Sequence, residues 1–141
     1  MKKINLLLVE DNDNDAFLVL RIYKKLMPNF THFRLEDGKK AVEYFAEADQ
    51  QEDFSPPDMV LLDLKLPYAD GLEILEKIRK GNKSKFVPVI VYSSSGQPAD
   101  VQQAYALGAN GFMVKPTDLT AMREDLEPAF KFWLQKNRRS Y

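Results

Sequence analysis

The sequence contains no cysteine and only one histidine, His32. The absence of cysteine excludes disulfide bonds, thiolate metal sites and thiol nucleophiles. No uninterrupted apolar run approaches the roughly 20 residues that a membrane-spanning helix needs, and the opening Met1-Lys2-Lys3 leads directly into a strand-like segment rather than a signal peptide. These absences favour a soluble, cytoplasmic protein, and we expect His32 to be a solvated or hydrogen-bonded strand residue rather than a ligand.

The chain also lacks a strong charge of either sign and any linker or repeat. Its formal net charge of −1 gives no bulk electrostatic reason to expect nucleic-acid binding. Its 141 residues are about the length of one domain. We therefore expect a single domain over 1–141, with a core over about 4–136, a short tail over 137–141 and no DNA-binding domain.

Five short, mostly apolar runs alternate with five stretches of helical periodicity. Continuous apolar runs bounded by turn residues are typical of strands that are buried on both faces of a parallel sheet. Such an alternation predicts an α/β fold with right-handed crossovers and helices on both faces. The predicted strands are 4–9, 31–35, 59–62, 87–92 and 111–114, and a predicted helix follows each of them.

The last predicted helix contains a proline, Pro128, within its apolar stripe. An interior proline removes one helical hydrogen bond and clashes with the preceding turn. We therefore expect a kink, or a break and restart, near 125–128, and an end near Lys136. The basic residues Lys136, Arg138 and Arg139 are expected to form a solvated terminus.

Four of the predicted strands end in polar side chains: Glu10-Asp11, Asp63, Ser93 and Lys115. Parallel strands bring all these ends to the same edge of the sheet, where ligands bind in open α/β folds. Each residue alone is ordinary turn or capping chemistry. Their ordered arrival at four of five strand ends indicates one shared site.

The three acids of this predicted site are the informative ones. Two like charges ~4 Å apart cost about 4 kcal/mol at an effective dielectric near 20, and the one lysine, Lys115, cannot balance three carboxylates. A Mg²⁺ ion prefers carboxylate, water and phosphate oxygens, and Mn²⁺ favours the same ligands. The sequence therefore predicts a site for Mg²⁺, or Mn²⁺ in its place, and a phosphoryl group.

The chemistry assigns a role to each residue of the site. Asp63 is the predicted nucleophile, which forms an aspartyl phosphate. Asp11 binds the metal, Glu10 holds a metal-bound water or reaches the ion, and the backbone carbonyl of Lys65 completes the ligand set. A second group of residues, Lys115 and Ser93, is predicted to contact the phosphoryl oxygens and stabilise charge during transfer.

These residues resemble those of a known family, the response-regulator receiver domain of two-component signalling. The matching pieces are Leu8 to Asn12, Leu61 to Pro67, Asp70-Gly71, Pro88 to Ser94 and Gly108 to Pro116. The resemblance covers 4–136 and implies a flavodoxin-like, doubly wound, five-stranded parallel sheet of order 2-1-3-4-5 with five helices. It also implies Mg²⁺-dependent phosphoryl transfer from a sensor histidine kinase to Asp63, in a protein that catalyses only its own phosphorylation and dephosphorylation.

The resemblance further implies a two-state switch. Phosphorylation draws Ser93 inward, Phe112 rotates into the vacated space, and the face made by the fourth helix, fifth strand and fifth helix changes its partner preference. Phe112 lacks the hydroxyl that many relatives carry at this position. The alternative interpretation of Phe112 is a plain core aromatic.

The late segment Phe132-Trp133-Leu134 resembles stand-alone receivers that are partnered with bacterial phytochrome kinases. In those relatives the last helix and the fifth-strand face support dimerisation, which implies a homodimer here. Phe130 and Trp133 fit a buried stripe, whereas Phe132 lies off it and is a candidate interface anchor.

Three alternatives remain open. An aspartate-nucleophile phosphohydrolase typically needs a second acid two positions on, where this chain has Lys65. A flavin-binding module of the same sheet order needs a Ser/Thr/Gly-rich phosphate loop, where this chain has the acidic run Glu10 to Asp13. The third alternative is an unphosphorylated scaffold that acts only through protein contacts, although all the expected site residues are present.

Overall fold

The computed structural model describes residues 3–140, so the predictions that fall on residues 1, 2 and 141 lie outside the described residues. Five parallel strands form one sheet of order β2-β1-β3-β4-β5, as predicted. The strands are β1 (Leu6–Val9), β2 (His32–Leu35), β3 (Met59–Leu62), β4 (Val89–Ser93) and β5 (Gly111–Val114), and the helices are α1 (Asp13–Leu26), α2 (Gly38–Ala48), α3 (Gly71–Lys80), α4 (Pro98–Ala106) and α5 (Leu119–Lys131).

The three central strands are buried on both faces. Every residue of β1, β3 and β4 is buried, which explains why these segments are continuous apolar runs rather than alternating ones. Successive side chains along these strands point to opposite faces of the sheet and pack in two separate cores. One core lies against α2, α3 and α4 and the other against α1 and α5, so the sheet is covered on both sides.

All the helices except α4 begin with side-chain caps at the carboxyl edge of the sheet. Each cap accepts a hydrogen bond from a backbone N–H in the first helical turn, which satisfies one of the donors that a helix leaves unpaired. The capping residues are Asn12 for α1, Asp37 for α2, Asp70 for α3 and Asp118 for α5. The capping role therefore falls to other residues than Glu10, Asp11 and Asp63.

The break expected near 125–128 is absent. Helix α5 continues through Pro128 to Lys131 and changes to a π-helical turn over Phe132–Lys136, in which the Asn137 N–H donates to the carbonyl of Phe132 at 2.7 Å. The departure from α-helical geometry thus lies one turn beyond the proline. The predicted helix end near Lys136 is confirmed.

The expectation that the basic terminus is wholly solvated was wrong for Arg139. Its Nε lies 2.9 Å from Oδ1 of Asp58, and Lys3 Nζ lies 3.0 Å from the same oxygen. Asn5 Nδ2 donates to the other carboxylate oxygen at 2.8 Å. Asp58 is only 2% exposed, and a buried carboxylate needs such partners. The tail therefore crosses the amino end of the sheet, opposite the predicted site.

Among residues 3–140, no helix is both long and apolar enough to cross a membrane.

Candidate functional site

The three acids predicted to form the site do come together. Oxygen atoms of Glu10, Asp11 and Asp63 all lie within 4.8 Å of one another. Glu10 and Asp11 directly follow β1, and Asp63 directly follows β3, which is the neighbour of β1 in the sheet. The Asp63 N–H donates to the Val9 carbonyl at 3.0 Å, so main-chain pairing holds the two acidic strand ends side by side.

Lys115 contacts two acids of this cluster, Glu10 and Asp63, and a third acid on α1. Its Nζ lies 2.7 Å from Glu10 Oε1, 3.0 Å from Asp63 Oδ2 and 3.0 Å from Asp15 Oδ2. The Lys115 side chain is only 8% exposed, and those of Glu10 and Asp63 are less exposed still. One buried cation therefore contacts three carboxylates at once.

Burial and neighbouring charges have opposing effects on the pKa values of Glu10 and Lys115. Burial raises the pKa of Glu10 to about 7; the hydrogen bond from Lys115 opposes the shift, and the Asp63 charge adds to it. Burial lowers the pKa of Lys115, but the hydrogen bonds and charges of its acidic partners outweigh burial and raise that pKa above its ordinary value. The ammonium form of Lys115 is therefore held firmly, whereas Glu10 takes up a proton at higher pH than an ordinary glutamate.

Ser93 and Lys65 lie where the strand ends place them. Ser93 is fully buried at the end of β4, and its Oγ accepts a hydrogen bond from the Ser95 N–H at 3.3 Å. The Ser93 carbonyl accepts from the Lys115 N–H at 2.8 Å, which fixes the end of β5 against that of β4. Lys65 is exposed, and its N–H donates to Asp63 Oδ1 at 3.2 Å.

Two glycines allow the segment after Asp63 to pack closely. A Cβ at Gly71 would collide with the carbonyl oxygen of Asp63, and a Cβ at Gly38 would collide with that of Ala69. The Gly38 N–H donates to the Pro67 carbonyl at 3.0 Å. The starts of α2 and α3 therefore press directly on the segment that carries Asp63, and this packing holds the aspartate in place.

The aromatic residues predicted to act at a distance differ in their surroundings. Phe112 is half-buried in β5 and packs against the core on the α3–α4 side, a position that fits both the switch and the core interpretation. Phe132 is 49% exposed and contacts the half-buried Trp133 edge to face, with ring centroids 4.9 Å apart. The prediction that Phe132 lies off the buried stripe is confirmed.

Sequence reasoning missed two residues that contact the site. Asp15 lies in the first turn of α1 and reaches Lys115; its spacing from Asp11 was the signal available. Arg34 lies on β2, and its guanidinium donates to the backbone carbonyls of Glu10 and Asp11. In the sequence Arg34 is simply a polar position of an alternating strand, so no local pattern marks it.

The order of the strands in this sheet reverses between β1 and β3. Crossover connections run in opposite directions from there, which opens a crevice outside the carboxyl ends of the strands. The acidic cluster lies at this position. Fold and site together define a flavodoxin-like α/β domain with a carboxylate-rich site at its topological switch point.

The chain belongs to the response regulator receiver domain family, whose model matches residues 6–127. It is 35% identical over 133 residues to the probable methanogenesis regulatory protein FilR2 of Methanothrix harundinacea, covering 94% of this chain and 85% of that protein. It is 32% identical over 130 residues to response regulator Rcp1 of Synechocystis, covering 92% of this chain and 88% of Rcp1.

Solved structures agree with this assignment. The phosphorylated cyanobacterial phytochrome response regulator RcpA superimposes with a TM-score of 0.88 at 29% identity, covering 99% of this chain and 100% of that one. The Mn²⁺-bound form of Rcp1 superimposes with a TM-score of 0.83, also at 29% identity, with the same coverage. The predicted family and sheet order are confirmed.

Proposed function

We propose that this receiver domain accepts a phosphoryl group on Asp63 from a sensor histidine kinase, in a reaction that depends on Mg²⁺, and that phosphorylation changes the partner preference of its α4-β5-α5 face. One observation carries the proposal: a single buried lysine, Lys115, is shared among three carboxylates, two of which belong to a cluster of metal-binding geometry. Such an arrangement leaves negative charge without a partner at the switch point of the sheet.

The residues present fit a hard divalent cation. Glu10, Asp11 and Asp63 each offer a carboxylate oxygen within 4.8 Å of the others, and Mg²⁺ selects oxygen ligands of this kind while keeping several waters. We further assign the backbone carbonyl of Lys65 to the ligand set, and Mn²⁺ as a substitute. When bound, the ion neutralises carboxylate charge and polarises the oxygens of the phosphoryl group.

The chain's own residues supply the remaining chemistry. Asp63 is the nucleophile, and it is held in place by its main-chain bond to β1. Lys115 already lies 3.0 Å from Asp63 Oδ2, so a phosphoryl group on that carboxylate is within reach of its ammonium. Ser93, at the end of the neighbouring strand, is assigned to donate its hydroxyl to a phosphoryl oxygen. These groups stabilise charge on the transferring group, which is the main task in phosphoryl transfer.

The signalling step follows from the position of Ser93 and Phe112. Ser93 closes β4 and Phe112 lies in the adjoining β5, so a movement of Ser93 toward the phosphoryl group alters the space next to that ring. The half-buried state of Phe112 supports a ring that can turn inward. In this proposal the protein catalyses only its own phosphorylation and dephosphorylation.

The partner is inferred from the relatives. The likeness to RcpA, described as a phytochrome response regulator, supports a bacterial phytochrome kinase as the phosphoryl donor, whereas the likeness to FilR2 does not. Phosphotransfer from a purified phytochrome kinase that is faster than from unrelated histidine kinases supports this pairing. Equal or slower transfer contradicts it.

The structure also supports an assembly proposal. Tyr105 on α4, Val114 on β5 and Phe132 at the end of the last helix are large apolar side chains with about half of their surface exposed. Exposed aromatic residues are typical interface anchors. We expect concentration-dependent dimerisation that Phe132→Ala weakens; an unchanged sedimentation profile for that variant contradicts the role of Phe132.

Intact-mass measurement tests the central reaction. Wild type and Asp63→Asn are incubated with acetyl phosphate or phosphoramidate, with Mg²⁺ or with EDTA. The proposal predicts a gain of one phosphate that requires Mg²⁺ and is lost in the variant. No gain in a folded, metal-bound wild type contradicts it and favours a scaffold that acts only through protein contacts.

A further inference from the structure

Arg34 lies on the edge strand β2 but reaches over the end of β1. In the sheet it is aligned with Leu8, two residues before the acidic pair. Its Nε donates to the Glu10 carbonyl at 3.0 Å and its Nη2 donates to the Asp11 carbonyl at 3.3 Å. The same Nη2 lies 2.9 Å from Asp13 Oδ1. The Arg34 side chain is only 20% exposed; its bond to the Glu10 carbonyl is partly buried, whereas the two contacts of Nη2 are open to solvent.

The contacts of Arg34 are with main-chain atoms of the two residues assigned above as metal ligands, not with their carboxylates. The carboxylate of Glu10 is occupied instead by Lys115 and by the Asn12 N–H. A third bond to β2 completes the attachment, because the Glu10 N–H donates to the Leu35 carbonyl at 3.1 Å. The acidic segment is therefore fastened to the edge strand through three main-chain groups.

Charge repulsion explains why the acidic segment needs these main-chain bonds to β2. The segment between β1 and α1 and the first turn of α1 carry the acids Glu10, Asp11, Asp13 and Asp15 within six positions. Like charges this close repel one another, and repulsion alone would spread the segment. A guanidinium has five donors in a rigid fork, so it can bind two carbonyls and a carboxylate together, which an ammonium cannot do in the same geometry.

We propose that Arg34 is a positioning residue for the metal ligands. It holds the main chain of Glu10 and Asp11 so that their carboxylates remain within reach of Asp63. This inference rests on the proposed function, because it presupposes that these three carboxylates bind a divalent cation.

The sign of the effect separates positioning from simple charge. A cation next to an acidic site repels a divalent ion, so an Arg34 that acted only through its charge would weaken metal binding, and its removal would tighten binding. Removal of a positioning residue has the opposite result. Outer-shell partners of metal ligands typically change affinity by about 10-fold to 100-fold when they are replaced.

The test compares three variants by Mn²⁺ affinity, measured from the electron paramagnetic resonance signal of free Mn²⁺ at pH 7.5 and fixed ionic strength. Arg34→Lys keeps the charge and loses the fork; Arg34→Met loses both. Asp13→Asn is the matched control, because it removes the ion pair and leaves the two carbonyl contacts. We expect about 10-fold weaker binding for both Arg34 variants and a change of less than about 2-fold for Asp13→Asn, which is an exposed residue.

A second readout uses the reaction itself. In Arg34→Lys, the Mg²⁺ concentration for half-maximal phosphorylation by phosphoramidate should rise in parallel with the Mn²⁺ dissociation constant, while the rate at saturating Mg²⁺ returns toward that of wild type. A general loss of fold would instead lower the rate even at saturating Mg²⁺. Urea unfolding of each variant identifies such a loss. Arg34→Lys, the milder variant, keeps the test valid if Arg34→Met does not fold.

Each outcome has a distinct meaning. Unchanged or tighter Mn²⁺ binding by folded Arg34 variants contradicts the positioning role and leaves the proposed function intact. A wild-type protein that binds no Mn²⁺ contradicts the proposed metal site itself. Weaker binding in both Arg34 variants but not in Asp13→Asn supports the inference.

Discussion

Both ends of the sheet contain buried carboxylates, but they differ in the number of cations that contact each carboxylate. At the amino end, one carboxylate, Asp58, has two cationic partners, Lys3 and Arg139, and a hydrogen bond from Asn5. At the carboxyl end, one cation, Lys115, serves the three carboxylates of Glu10, Asp15 and Asp63. The amino end thus has two cations for one buried carboxylate, whereas the carboxyl end has an excess of negative charge.

This difference supports the proposal of a metal site at the carboxyl end and a structural role for the ion pairs at the amino end. A buried charge that is fully paired stabilises the arrangement of the segments that supply its partners, here both ends of the chain. A buried cluster with more acids than bases costs stability until a further cation binds. We therefore assign the proposed metal binding and phosphoryl chemistry to the carboxyl end. The ion pairs at the amino end hold the segments that carry Lys3 and Arg139 against Asp58.

The largest effect is expected when Lys115, the cation shared by Glu10, Asp15 and Asp63, is replaced. Lys115→Met leaves buried carboxylates without a partner, and breaking a buried ion pair in this way costs about 3 kcal/mol. We expect urea unfolding of the metal-free protein to show this loss at pH 8 and a smaller loss at pH 5.5, where Glu10 carries a proton. Equal losses at the two pH values would argue against charge excess as the cause.

A smaller effect is expected at the balanced end. Asp58→Asn replaces a buried carboxylate that two cations and one amide contact, and hydrogen bonds to charged groups contribute about 2 kcal/mol. Because both cations are partly exposed, they can return to water, which limits the cost. We expect a similar loss at pH 5.5 and pH 8 and no change in Mg²⁺-dependent phosphorylation. A loss of phosphorylation in a folded variant would show that the two ends are not independent.

The pH dependence of stability should distinguish Glu10 from an ordinary acid. The folded protein holds the Glu10 proton up to about pH 7, whereas an ordinary glutamate loses it near 4.5. The folded state therefore binds more protons between these values, and stability falls as pH rises through this window. Relative to Glu10→Gln, metal-free wild type should lose about 2 kcal/mol between pH 5.5 and pH 7.5. Parallel pH profiles of the two proteins would contradict this assignment.

The smallest effect is expected for the tail. Arg139→Gln removes one of two cations from Asp58 and also a hydrogen bond to the Trp133 carbonyl. A partly exposed ion pair contributes about 0.5 kcal/mol, but Trp133 is the single tryptophan and reports directly on this segment. We expect a red shift of its emission in Arg139→Gln and none in Arg138→Gln, whose side chain is exposed. Identical spectra would indicate that the tail is not held by Asp58.

The strands and the members of the acidic cluster could be predicted because they depend on short-range pattern. Apolar runs mark buried strands, and the first and third runs end directly at the acidic residues, so Glu10, Asp11 and Asp63 follow from strand ends alone. The family resemblance supplied the strand order, which alternation alone leaves open.

The contacts that were missed all depend on side-chain reach or on packing across the sheet. Arg34 spans from the edge strand to the end of β1, and Arg139 crosses to the start of β3, distances that no local pattern encodes. A kink, or a break and restart, was expected near 125–128, but the α-helix continues to Lys131, where α5 packs along α1.

Calorimetric titration of Mg²⁺ at pH 7.5 tests the contrast between the two ends most directly, with wild type, Asp11→Asn and Asp58→Asn compared under the same conditions. The charge excess at the carboxyl end predicts one ion per chain in wild type, binding that is lost or strongly weakened in Asp11→Asn, and unchanged affinity in Asp58→Asn. Equal binding by wild type and Asp11→Asn, or no binding by a folded wild type, would contradict the assignment of a metal site to the acidic cluster.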